Sequence, residues 1–307
     1  MKLLIDTDAG VDDAQALMLV LTAPDVQVEA ITTITGNVHI NNVNQNVLTI
    51  LDVFNADIPV YAGTDRPLVS AWERLVHEIH GEDGMGDWPQ RPPTQRQLQT
   101  EHAVNAIVRL VNEQPGELTL VTLGPLTNIA LAVRIDPDLP KKVKGLVFMG
   151  GAIAARGNTD NVTAEFNIFC DPEAAFIALE AFPHSTMLSW ETTLAHPIPM
   201  DTFSKLMLGP TASSKFLKGI STHTFDYCVQ RGITGYLLPD PLAMAIVLNP
   251  AIIQQSADYH VTVELSGALT RGQTVIDYRG RGKHPNCTIV EKVDIEAVIA
   301  MFERAVQ

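Results

Sequence analysis

Short apolar runs alternate with amphipathic segments from the first residue, and this rhythm constrains the fold more than any other feature of the chain. Lys2–Ile5 reads as a buried strand and Asp12–Leu21 as a helix, with Ala14, Leu17, Met18 and Leu21 on one face. Val28–Ile34 reads as the next strand, Asn42–Phe54 as a helix, and Pro59-Val60-Tyr61 as a short strand. The alternation returns in helix Glu101–Asn112, strand Leu118–Leu123, helix Leu126–Val133, strand Gly145–Met149, helix Pro172–Ala181 and strand Thr186–Ser189. Units of this β-α-β kind join parallel strands through helices. The expected class is α/β, one domain over residues 1–307, with a mostly parallel central sheet flanked by helices.

Residues 62–99 break the rhythm. They carry Pro67, Pro89, Pro92 and Pro93 with Gly63, Gly81, Gly84 and Gly86, and they hold His77 and His80. A loop of that length inside a compact domain is usually functional or mobile. The stretch 196–239 reads as mainly helical and ends in an irregular segment, Gly232–Pro239. A helix at Pro241–Leu248, alternating strands at Tyr259–Leu265 and Thr274–Tyr278, a strand at Cys287–Val290 and a helix at Ile295–Val306 are expected after it. No internal repeat or linker interrupts the chain.

Composition narrows the chemistry. Hydrophobic residues make up 46% and charged residues 18%, enough for a sizeable core. The 21 Lys plus Arg against 35 Asp plus Glu leave a net charge of −14, which repels phosphate backbones, so neither nucleic acid nor an anionic membrane is an expected partner. Cys170, Cys228 and Cys287 lie far apart without a CxxC pair, which suits a reducing compartment. Met1-Lys2-Leu3-Leu4-Ile5 meets Asp6 at once and no run of about 18 apolar residues occurs, so a cytoplasmic protein is expected.

The segment Asp6-Thr7-Asp8-Ala9-Gly10-Val11-Asp12-Asp13 puts four carboxylates within eight residues, between the first strand and the first helix. Ligands of parallel α/β proteins bind in crevices at the carboxyl ends of strands. Packed carboxylates cannot all ionise without a counter-cation, and oxygen-rich clusters suit hard ions such as Ca²⁺ or Mg²⁺. The simpler reading, a helix capped by Asp12 beside solvated acids, explains one aspartate and not the other three. An EF-hand fails, because counting from Asp6 its glycine and glutamate positions hold Val11 and Leu17. Asp6 and Asp8 also fit the DxD pair of a metal-dependent phosphohydrolase. Such a site needs basic residues for the phosphate, and only Lys2 is near in sequence.

With Asp6-Thr7-Asp8-Ala9-Gly10-Val11-Asp12-Asp13-Ala14 the chain resembles the nucleoside N-ribohydrolases of the inosine–uridine-preferring type, whose signature is DTDPGxDDA. The likeness continues in Thr35-Gly36-Asn37-Val38, His80-Gly81, Thr122-Leu123-Gly124-Pro125-Leu126-Thr127-Asn128, Met149-Gly150-Gly151, Ala164-Glu165-Phe166-Asn167, Asp171-Pro172-Glu173-Ala174-Ala175 and Asp240-Pro241-Leu242-Ala243. The resemblance spans nearly the whole chain and implies a Rossmann-like core and hydrolysis of a ribonucleoside to ribose and a free base. It implies a Ca²⁺ held by Asp8, Asp13, Asp240 and the carbonyl of Leu123, with Asp8 deprotonating the attacking water. Asp12, Asn37, Glu165 and Asn167 match the ribose contacts, and Asp6 matches a residue that supports the loop. It further implies a homodimer or homotetramer whose partner is a small nucleoside.

The chain departs from the family in three places. Gly157–Glu165 is one residue longer than the usual GNxTPxAEFN, so the amide for the ribose 5′-hydroxyl is Asn158 or Asn161, with Asn158 preferred. Pro239 stands where a His often precedes the last metal aspartate, and proline has no proton for the leaving base. Trp190 follows a strand, where an indole can lie against a planar base. His80, Trp190, Tyr227 and Tyr236 are therefore the candidates for the base end of the site. Loss of the acid at Pro239 also admits a non-catalytic nucleoside or ribose binder.

Overall fold

Leu3 and Ile5 face one side of the first strand and Leu4 the other, and all three are almost wholly buried. A strand covered on both faces is what a parallel sheet between two helical layers requires. The computed structural model describes residues 1–70 and 76–307. Its strands are β1 (Lys2–Thr7), β2 (Gln27–Thr33), β3 (Val60–Ala62), β4 (Leu118–Thr122), β5 (Gly145–Met149), β6 (Ser185–Leu188), β7 (Ile198–Pro199), β8 (Gly235–Tyr236), β9 (Ile253–Tyr259), β10 (Val261–Val263), β11 (Thr274–Ile276) and β12 (Cys287–Val293). Eight of them form the central sheet in the order β3-β2-β1-β4-β5-β6-β12-β9, parallel throughout except for β9. Ile5 of β1 pairs with Ile31 on one side and Val121 on the other.

One face of the sheet packs on helices Val11–Thr22, Ile40–Val53, Pro239–Leu248 and Ile295–Ala305, and the other on Ala103–Glu113, Thr127–Ile135 and Pro172–Ala181. The chain leaves β1 for β2 on one side and returns to β4 on the other, so a crevice opens where the order reverses. The site is built there.

Several elements differ from the sequence expectation. Tyr259–Leu265 is not one strand: Tyr259 ends β9, and β10 begins at Val261 in a separate hairpin with β11. β9 is an antiparallel edge strand whose Gln254, Gln255 and Ser256 face solvent. An edge strand needs little apolar alternation, which is why its sequence did not announce it. Asp12 does not cap the first helix; Gly10 is the cap residue, and Asp13 reaches back to accept its N–H at 2.9 Å. Within 62–99 a single helical turn forms at His77–His80, and residues 71–75 of that stretch lie outside the described residues.

Candidate active site

β1 runs straight into the acidic segment, so Asp6 is fixed by the sheet, Asp8 follows the strand's last residue, and Asp12 and Asp13 ride on the first turn of the helix. Asp240 arrives from the other direction, in the first turn of Pro239–Leu248. Proline at the first helical position has its φ pre-set and lacks an N–H that would go unpaired there. Oxygens of Asp12, Asp13 and Asp240 lie within 4.8 Å of one another, and Asp8 meets Asp13 side chain to side chain.

The supporting bonds are specific. Asp13 accepts from the Thr7 hydroxyl, from Gly10 N–H at 2.9 Å and from Asn37 Nδ2 at 3.2 Å. Asp8 accepts the Asn37 N–H at 2.7 Å through Oδ2, while its Oδ1 is buried without a partner. Gly36 and Gly124 make room for it, since a Cβ at either would come within 2.0 and 2.8 Å of its carboxylate oxygens. Asp6 sits one layer away, taking the Thr32 hydroxyl at 2.5 Å and Asn128 Nδ2 at 2.8 Å.

Burial pushes every one of these carboxyls up. Asp6 rises to about 7 and Asp12 to about 6, both chiefly by desolvation. Asp8 and Asp240 stand well above the carboxylate range, through burial first and the charge of their aspartate neighbours second. Asp13 shifts the same way, with Asp12 as the main charged neighbour. So many buried acids, with Asp8 Oδ1 and Asp12 Oδ1 unpartnered, form a donor set of hard oxygens that fits a divalent cation.

Over the cluster opens a cavity of about 530 Å³. Every residue expected at the site lines it except Asp8 and Asp13, which are fully buried. Asn167 donates Nδ2 to the Leu123 carbonyl at 2.7 Å and to that of Met149 at 3.2 Å. Glu165 is itself the cap of helix Phe166–Cys170, and its carboxylate takes the N–H groups of Asn167, Ile168 and Gly151 at 2.9, 3.2 and 2.9 Å. Burial raises it to about 7 despite those donors. Asn158 lines the cavity, whereas the Asn161 amide is engaged with Ala164 and Thr159 of its own loop and with the distant Arg271 carbonyl.

The four candidates for the base also line the cavity. His80 is buried beside Asp12, 3.6 Å from its carboxylate. Trp190 begins helix Trp190–Ala195 and presents a half-buried indole. Tyr236 belongs to the core as much as to the cavity: its ring stacks on Phe203 at 3.8 Å and its hydroxyl accepts from Gln15 Nε2 at 3.0 Å. Tyr227 is half-buried on helix Ala212–Gln230. Phe166, Phe169, Ile79 and Ile233 also line the cavity, and sequence alone did not single them out because apolar walls look like core residues. Among the described residues no lysine or arginine lines it, which disfavours a phosphate ester.

Comparison with known proteins agrees with this geometry. The family model for inosine-uridine preferring nucleoside hydrolase matches residues 3–300. The chain is 37% identical over 301 residues to an inosine-uridine preferring nucleoside hydrolase of Leishmania major, covering 96% of this chain and 94% of that one. It is 32% identical to uridine nucleosidase 1 of Arabidopsis thaliana, over 97% of this chain and 90% of that one. The solved inosine-guanosine nucleoside hydrolase superposes with a TM-score of 0.91 at 36% identity, covering 99% and 98% of the two chains. An acidic cluster at a strand-order reversal under a nucleoside-sized cavity, with these likenesses along nearly the full length, places the chain in the inosine-uridine preferring nucleoside hydrolase family, as an N-glycosyl hydrolase.

Proposed function

We propose that the protein hydrolyses the N-glycosidic bond of ribonucleosides in a Ca²⁺-dependent reaction, with Asp8, Asp13, Asp240 and the Leu123 carbonyl as the ion's ligands. The observation that carries this is the set of buried, mutually raised carboxyls with orphaned oxygens at the cavity floor. When bound, the cation supplies the counter-charge that lets these carboxyls ionise, and it acidifies water.

The chain's own groups do the rest. Asp8, held by the Asn37 N–H, takes a proton from the attacking water. Asp12, Asn37 and Asn167 orient the ribose hydroxyls, and Asn158 meets the 5′ end. Glu165, with three backbone donors, anchors the first turn of the helix that carries Asn167 as well as facing the sugar. The transition state has oxocarbenium character, so carboxylates beside the ring stabilise the developing positive charge. The same family reading carries a homo-oligomeric assembly, which light scattering tests. Among the described residues no helix is long and apolar enough to cross a membrane.

The test is release of free base from inosine and uridine, with EDTA and with Ca²⁺ restored, against p-nitrophenyl phosphate. Base release that EDTA abolishes and Ca²⁺ restores is expected. Phosphate release, or tight ribose binding without turnover, would overturn the proposal.

A further inference from the structure

The helix Ala212–Gln230 ends in a geometry that joins two side chains. Gly232 adopts φ +66 and the Ile233 N–H returns to the Cys228 carbonyl at 2.9 Å, a left-handed stop for which glycine is suited. Arg231 is thereby the last residue of the helical path and stands four positions after Tyr227, on the same face. Its guanidinium lies over the Tyr227 ring at 4.1 Å, and its Nη1 donates to the Tyr227 hydroxyl at 2.7 Å. A second contact, 3.8 Å from Nη2 to Glu78, joins two exposed groups and contributes little.

An arginine only donates, so the Tyr227 oxygen is the acceptor in this bond and its own proton is left for another group. Tyr227 lines the same cavity as the chain's proton-less Pro239. We propose that Tyr227 is the proton donor to the departing base and that Arg231 is the positioning residue that makes it one, a proposal that rests on the nucleosidase reading above. As the C1′–N bond breaks, its electron pair stays with the base. The Tyr227 proton goes to a ring nitrogen or oxygen of that base, and the guanidinium faces the negative charge left on the phenol oxygen. The attacking water gives its hydroxyl to C1′ and its proton to Asp8, and exchange with solvent returns a proton to Tyr227, so water and nucleoside are consumed and ribose and neutral base appear.

The experiment compares kcat/KM for inosine, uridine and p-nitrophenyl riboside in wild type, Tyr227→Phe, Arg231→Gln, Arg231→Lys and the Tyr227→Phe/Arg231→Gln double variant. Nitrophenolate leaves without a proton, so its release reports fold and water attack alone. Losses of about 100-fold on both nucleosides in Tyr227→Phe and Arg231→Gln are expected, with about 3-fold or less on the nitrophenyl substrate. Arg231→Lys recovers part of the loss. The double variant falls no further than Tyr227→Phe, because Arg231 acts through the phenol. Additive losses, or equal losses on all three substrates, overturn the proposal while leaving the nucleosidase reading intact. A wild type that turns over none of them overturns that reading and this proposal together.

Discussion

The Val11 N–H donates to Nδ1 of His80 at 3.1 Å, so a residue of the long loop closes the first turn of the helix that carries Asp12 and Asp13. A backbone amide only donates, so Nδ1 is the ring's acceptor and the proton of the neutral ring sits on Nε2. Burial pushes the ring down to about 4. A lowered histidine contributes stability that is complete above its ordinary value of 6.5 and lost as pH falls from there through about 4. His80→Ala should cost about 1–3 kcal/mol by stranding the Val11 amide, and His80→Asn should recover much of it, because Oδ1 takes the place of Nδ1. Thermal melts at pH 7.5 check this; equal loss in both variants would show that the Val11 bond is not what matters.

The acids run the other way. Asp6 and Glu165 rise to about 7 and Asp12 to about 6, so the folded chain holds these protons more tightly than the unfolded one. Their contribution is complete below the ordinary carboxylate value near 4 and is lost as pH rises through about 6 to 7. A divalent cation favours the ionised forms and offsets that loss. The gain in Tm from Ca²⁺ is therefore expected to grow from pH 5 to pH 8. Melts with EDTA and with Ca²⁺ across that range decide it, and a gain that is flat or shrinks with pH would refute the linkage.

Asp13 is expected to be the least replaceable of the cluster. It accepts from Thr7, Gly10 and Asn37, so Asp13→Ala removes a proposed ligand and strands three donors together. Calorimetry should find no Ca²⁺ heat in the variant, and the Ca²⁺-induced rise in Tm should vanish. Unchanged Ca²⁺ affinity would exclude Asp13 from the ligand set.

Much of this was legible in the sequence for physical reasons. β1, β2, β4 and β5 are buried on both faces, so their apolar runs stand out, and the crowd of aspartates after β1 has no cheap explanation without a cation. The edge strand β9 was hidden because its exposed Gln254 and Gln255 look like a loop. Asp12 read as a cap because capping residues are identified by type, whereas the outcome depended on which carboxylate could turn back to Gly10. The Asn161 amide donates to a carbonyl 110 residues away, at Arg271, a contact that local spacing does not reveal. The Arg231–Tyr227 stack, by contrast, was present as a four-residue spacing and became informative only when the cavity showed which face it occupies.

Selectivity for ribose is the expectation from the polar wall. Asp12, Asn37 and Asn167 converge on the cavity, and a site built for hydroxyls leaves buried polar groups unpaired when one is missing. Uridine should be hydrolysed at least about 100-fold better than 2′-deoxyuridine in kcat/KM. Comparable values for the two would remove these residues from the sugar contacts.

The last expectation concerns Ala9, which stands where the family usually has proline. Ala9 has φ +36, in the left-handed region that costs an ordinary residue about 1 kcal/mol. A prolyl ring fixes φ near −65° and cannot take this path. Ala9 also donates its N–H to the Thr7 hydroxyl at 3.1 Å, and that hydroxyl in turn donates to Asp13. Its carbonyl accepts Asn46 Nδ2 at 2.9 Å, tying the acidic loop to helix Ile40–Val53. Ala9→Gly relieves the strain but frees the unfolded chain, so stability should change by less than about 1 kcal/mol. Ala9→Pro loses the Thr7 bond and forces a new backbone path, which should cost about 3 kcal/mol or more and loosen Ca²⁺ binding through Asp13. Denaturant melts and Ca²⁺ calorimetry on both variants test this. An Ala9→Pro protein as stable as wild type, with unchanged Ca²⁺ affinity, would mean that the loop accommodates the proline conformation and that the Thr7–Asp13 chain does not depend on the Ala9 amide.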